Sequence, residues 1–121
     1  MAISEAQFRH HIERWPGVAL DVKWSDHLVA SVDNKMFAMF NLAQNTAPGH
    51  VHFKVEDDLF LALTDQPGIS AAKYLARARW ITVVEPRRFP LKWYGERLRT
   101  AYKLVAGRLS KKRQHELGLL A

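Results

Sequence analysis

The hydrophobic periodicities along this chain predict an α+β domain, an antiparallel sheet of about five strands covered by helices from the two ends. Three observations predict it. Val18, Leu20, Val22 and Trp24 alternate with Ala19, Asp21 and Lys23, the period of a half-buried strand. Leu28, Ala30 and Val32 repeat that alternation, and Asp33-Asn34 supplies turn chemistry before the next apolar run. Near the end of the chain Leu91, Tyr94, Leu98, Ala101, Tyr102, Val105 and Leu109 recur at spacings of three and four, the apolar stripe of a helix.

Each element has its own local reason. Ser4 and Gln7 stand at capping-box spacing, and Phe8, Ile12 and Trp15 share one face before Pro16-Gly17 ends the first helix. Strands follow around Val18 to Trp24, Leu28 to Val32 and Lys35 to Leu42, joined at Ser25-Asp26 and Asp33-Asn34 as a meander. Ala43 to Gly49 is the most loop-like segment, after which Val51, Phe53 and Val55 alternate as a fourth strand.

Glu56, Asp57 and Asp58 suit the positive end of a short helix carrying Leu59, Phe60 and Leu63, and Gln66-Pro67-Gly68 closes it. The run Trp80 to Val84 is rich in β-branched residues and reads as the fifth strand, left at Pro86. Pro90 is suited to the first turn of the long helix, and Ser110 to capping a last short one that ends at Leu117-Gly118.

Residues 1–121 form a single domain on this reading, with no linker, repeat or low-complexity tract. A chain of this length buries roughly two-thirds of the surface exposed when unfolded. It contains no cysteine, which excludes disulfides, thiolate metal sites and cysteine nucleophiles. The longest apolar runs, Met36 to Phe40 and Leu59 to Leu63, are five residues each. A membrane helix needs roughly 20. The first residues lack the basic start and apolar core of a secretory signal, so a soluble cytoplasmic protein is expected.

Charge is strongly polarised. Leu61 to Ala121 holds 13 Lys and Arg against 4 Asp and Glu, whereas Met1 to Phe60 holds 5 against 8, within a formal total of +6. Such asymmetry points to a polyanionic partner, nucleic acid first, while a hydrated basic helix face explains the same composition without one. Binding needs cations at phosphates, and stacking needs planar groups beside them. Arg87, Arg88, Lys92, Arg97 and Arg99 are interleaved with Phe89, Trp93 and Tyr94, and Lys103, Lys111, Lys112 and Arg113 extend the set. Arg87 and Arg88 lead because Pro86 and Pro90 bracket them in an irregular, exposed segment. Trp93, between the apolar positions Leu91 and Tyr94, is the best aromatic candidate; Trp80 and Tyr94 belong to the same interleaved set, or are core residues if the cations are ordinary surface. Lys35, Lys54, Arg77 and Arg79 form a second tier: a lysine inside an apolar strand points to the solvated face or approaches an anion.

Other chemistry is thinly supported. His50 and His52 make an H-x-H on a strand, both imidazoles on one face at ligand spacing, with no third ligand in sight. His10-His11, about 100° apart around a helix, chelate poorly. Ser25-Asp26-His27 has the residue types of a hydrolase triad, but three consecutive turn residues diverge. No phosphate-binding glycine loop is present. Neither a catalytic residue, a cofactor nor a metal is expected.

Several short motifs in order resemble the MmcQ/YjbR family of small bacterial proteins: Lys35-Met36-Phe37-Ala38, Phe53-Lys54-Val55, Pro67-Gly68, Tyr74-Leu75 and Trp80-Ile81. Tyr102-Lys103-Leu104-Val105 and Leu109-Ser110-Lys111-Lys112-Arg113 continue the likeness to the end of the chain. Where the family often has Ser-Tyr this chain has Ala101-Tyr102, which removes one hydroxyl. The resemblance implies a curved antiparallel sheet on helices, similar to frataxin/CyaY-like and secretion-chaperone-like folds, and its members are commonly labelled DNA-binding. Frataxin-like iron handling uses an acidic ridge on the first helix, and here that helix has only Glu5 and Glu13. The leading expectation is a non-enzymatic DNA-binding protein; the alternative is a protein-interaction adaptor holding its partner on a sheet surface.

Overall fold

The computed structural model describes residues 3–119. The chain runs α1 (Glu5–Ile12), β1 (Val18–Lys23), β2 (His27–Val32), β3 (Lys35–Asn41) and β4 (Val51–Lys54). A 3-10 turn at Asp57–Leu59 leads into α2 (Phe60–Thr64), then β5 (Ile69–Ala71) and β6 (Trp80–Val83). Further 3-10 turns stand at Ala76–Ala78, before β6, and at Pro86–Arg88, before α3 (Leu91–Ala106) and α4 (Lys111–Glu116). The sheet is antiparallel throughout in the order β1-β2-β3-β4-β6-β5.

Six strands stand where about five are expected. The addition is Ile69–Ala71, which pairs with β6 and forms the sheet edge. Three residues carry too little alternation to be seen in sequence. The meander β1-β2-β3 forms as expected, with left-handed backbone at Asp33 and Asn34 giving the tight turn.

The helices lie on one face of the sheet. Ser4 Oγ accepts from the Gln7 amide at 3.1 Å and Gln7 Oε1 accepts from the Ser4 amide at 2.9 Å, closing the capping box of α1. Phe8 and Ile12 then enter the core with Phe37, Phe53, Ile81, Tyr94 and Leu98. The stripe predicted for α3 is buried except at its first position, Leu91, which is 41% exposed, and Pro90 is the N-cap rather than part of the first turn. Tyr94 and Tyr102 donate their hydroxyls to the Pro86 and Pro16 carbonyls, at 2.7 and 2.6 Å, and so satisfy the polar ends of buried rings. Gly95 lets α1 approach α3, since a Cβ there would meet the His11 ring at 3.1 Å.

The opposite face is not simply solvated. Val29, Met39, Ala72 and Trp80 form a second apolar cluster there, with Met36 and Leu75 packed against it. Among the described residues no helix is long and apolar enough to cross a membrane.

Candidate functional site

The cationic residues divide into those already engaged within the protein and those facing outward. At 100° per residue, Lys92, Arg99 and Lys103 fall within roughly 40° of arc on the side of α3 away from Tyr94, Leu98 and Val105. A groove lined by His11, Trp15, Lys92, Glu96 and Arg99 runs between α1 and α3. A second depression, lined by Pro16, Arg99, Tyr102, Lys103 and Gln114, leads from there to α4. Arg99 lines both, so the two join into one track. Its guanidinium lies 5.0 Å from the ring centres of Trp15 and of Tyr102, which hold the charge in place without neutralising it. Lys111 and Lys112 are exposed in the first turn of α4, at the far end. Among the described residues Arg87, Lys92, Arg99, Lys103, Lys111 and Lys112 make no ion pair.

Three other candidates, Arg97, Arg113 and Arg79, have structural partners. Arg97 lies on the flank of α3 and donates to Glu56 at 3.1 Å in a partly buried pair. Arg113 donates through Nε and Nη2 to Asp33 Oδ1 at 3.0 and 2.9 Å, fastening α4 to the β2–β3 turn. That bond holds the Asp33 carboxyl below its usual pKa. Arg79 faces Asp57 at 3.7 Å with its guanidinium over Phe60. Arg77 and Lys35 are exposed.

Arg87 and Arg88 sit apart from the track. They line a separate groove with Glu5, Glu85, Asn41 and Gln44, where two carboxylates offset the two cations. Arg88 donates to Glu85 at 2.9 Å and lays its stem over Gly68, whose φ of +88° and missing Cβ make room for it.

Two expectations need correction. Trp93 is half-buried, stacked on Phe89 with ring centres 4.2 Å apart and edge-on to Phe53 and Tyr94, so it seals the core margin instead of offering a stacking face. Lys54 does not face solvent. It is only 6% exposed, and its ammonium donates to the Ala78 carbonyl. Burial first, then the positive charge of Arg108, lowers its pKa.

A polar group that the sequence did not reveal lies on the second apolar face. Asp26 and His27 do meet, Oδ1 to Nδ1 at 2.6 Å, whereas Ser25 turns away and donates to the Trp24 carbonyl. His27 and His52 have ring centres 5.6 Å apart, and His52 Nδ1 lies 2.8 Å from Thr82 Oγ1. Burial, with the neighbouring imidazoles of His27 and His50, lowers the His52 pKa to about 4, so it is neutral at physiological pH. No group of three or more His, Asp or Glu side chains suited to a metal occurs among the described residues.

The fold and this surface define a small two-layer α+β protein with a cationic helical face. The YjbR family profile matches residues 13–104, and the chain belongs to that family. A crystal structure of a Deinococcus radiodurans protein with a DUF419 domain is similar at 26% identity and a TM-score of 0.80, covering 93% of this chain and 86% of that one. A Pseudomonas syringae protein shares the fold at 22% identity and a TM-score of 0.68, over 84% of this chain and 98% of its own. No protein among those with curated descriptions matches.

Proposed function

We propose that this YjbR protein is a non-enzymatic, cytoplasmic binder of double-stranded DNA that seats the phosphate backbone along the α1/α3 track. The observation that carries the reading is that Arg99 lines both grooves, making Lys92, Arg99 and Lys103 one contiguous cationic surface. Along a helix, Lys92 to Lys103 spans roughly 16 Å. Several phosphates of one strand fall within that reach. Glu96 is the one carboxylate among the residues lining the track, and Lys111 and Lys112 extend the surface past its end.

Contacts of this kind position a protein on DNA without reading sequence. Trp93 and the partnered cations Arg97 and Arg113 are outside the proposed contact set. Arg87 and Arg88 join it only as a flanking contribution. Fluorescence anisotropy of a labelled duplex tests the reading. Wild type binds saturably at low salt, and Lys92→Glu/Arg99→Glu/Lys103→Glu removes binding. Equal binding by that folded variant would reject the track as the contact surface.

A further inference from the structure

The sheet face turned away from the helices holds a cavity whose construction has no role in the DNA reading. Strand register places Met39 opposite His52, His52 opposite Thr82, and Thr82 opposite Ser70. Directly opposed residues share a face, so these side chains form one row across four strands. A cavity of about 590 Å³ lies over them. That is the size of a small-molecule site, roughly 300–1,000 Å³.

Its rim is the informative part. Trp24, from the β1–β2 turn, is 62% exposed, and Tyr74, from the segment after β5, is 91% exposed. Both line the cavity, and both have left-handed backbone, φ +54° and +68°. Bulky side chains occupy that region at a cost of order 1–3 kcal/mol and cluster at ligand clamps. Neither ring offsets the cost by burial.

The chemistry of the lining narrows the ligand. Asp26 Oδ1 holds the Nδ1 edge of the His27 ring at 2.6 Å, which leaves the Nε2 edge for a ligand. His52 Nε2 is buried without a hydrogen-bond partner, which marks the same row as a place where polar capacity is unused. The lining includes Lys73 and two imidazoles but no carboxylate. Met36, Met39 and Leu75 supply apolar, polarisable surface.

We infer that this cavity binds a small planar aromatic molecule bearing a carboxylate or similar anionic group. Its ring lies against Trp24 and Tyr74 over the methionines, its polar edge meets His27, and its anion meets the Lys73 ammonium. The site is on the opposite face from the α1/α3 track and stands or falls independently of DNA binding.

Naphthoate, followed by two-dimensional amide NMR, is the probe. Saturable shifts are expected at His27, Met39, His52, Tyr74 and Thr82. Trp24→Ala and Tyr74→Ala should each weaken binding about tenfold, and Lys73→Ala several-fold. Naphthylmethylammonium should bind more weakly than naphthoate, and Lys92→Glu/Lys103→Glu should bind naphthoate as wild type does. The rim side chains are exposed, so these variants keep the core, and a dispersed spectrum confirms it for each. Absence of saturable shifts at millimolar naphthoate, equal affinity in the rim variants, or tighter binding of the cation would overturn the inference.

Discussion

Arg97 Nη1 lies 3.1 Å from Glu56 Oε1, tying the flank of α3 to the turn that leads into α2. An arginine so placed contributes to the fold before it contributes to any partner. Arg97→Ala should lower stability by about 1 kcal/mol. The same variant should leave DNA affinity nearly unchanged, while Lys92→Ala and Lys103→Ala weaken it. Urea denaturation and anisotropy on the three variants check the contrast. Loss of DNA binding in folded Arg97→Ala would show that the pair opens to reach phosphate.

Lys54 is likewise engaged within the fold. Its ammonium reaches the Ala78 carbonyl from a nearly sealed position on β4. Lys54→Met keeps the stem but leaves that carbonyl without its donor, and should cost about 1–3 kcal/mol. The denaturation midpoint should fall with an unchanged slope. An unaltered midpoint would mean the hydrogen bond contributes nothing net.

Acid sensitivity should trace to His52. Its folded pKa, about 4, lies below the usual imidazole value of 6.5. Between those values the unfolded chain holds the extra proton, so stability rises with pH across the window and is fully present above it. Acidification from pH 7 towards 4 should therefore destabilise the protein, His52 contributing at most about 3 kcal/mol. His11 and His50, whose pKa values burial also lowers, act in the same direction. Thermal unfolding across that range should show a shallower pH slope in His52→Gln than in wild type. Parallel slopes would remove His52 as the cause.

Tyr74 offers a test of strain. Asn tolerates left-handed backbone better than Tyr. Tyr74→Asn should raise stability by about 0.5–1 kcal/mol while weakening naphthoate binding. A destabilised variant would mean that the tyrosine ring contributes contacts that exceed its backbone cost.

Much of the architecture was legible because it is local. The capping box at Ser4 and Gln7, the turn at Asp33-Asn34 and the three-and-four spacing from Tyr94 to Val105 each lie within a few residues of one another. The engaged state of the cations was not legible, since Arg97 meets Glu56 and Arg113 meets Asp33 across long stretches of sequence. The second face was hidden for the same reason: strand register sets His52 beside Thr82, and the β1–β2 turn and the segment after β5 bring Trp24 and Tyr74 to them from distant sequence. A signal did exist. Leu28-Val29-Ala30 and Met36 to Phe40 are apolar at successive positions, the pattern of strands covered on both sides. The Asp26–His27 contact was missed because His27 begins β2 and does not continue the turn.

The salt dependence of duplex binding tests the central claim most directly. With phosphates engaged by some of Arg87, Lys92, Arg99, Lys103, Lys111 and Lys112, log K against log salt should fall with a slope of about −3 to −5. Removing Lys103 should reduce that slope by about 1. A slope near zero, or no saturable binding at low salt, would contradict the account and leave the cationic helical face as solvated surface.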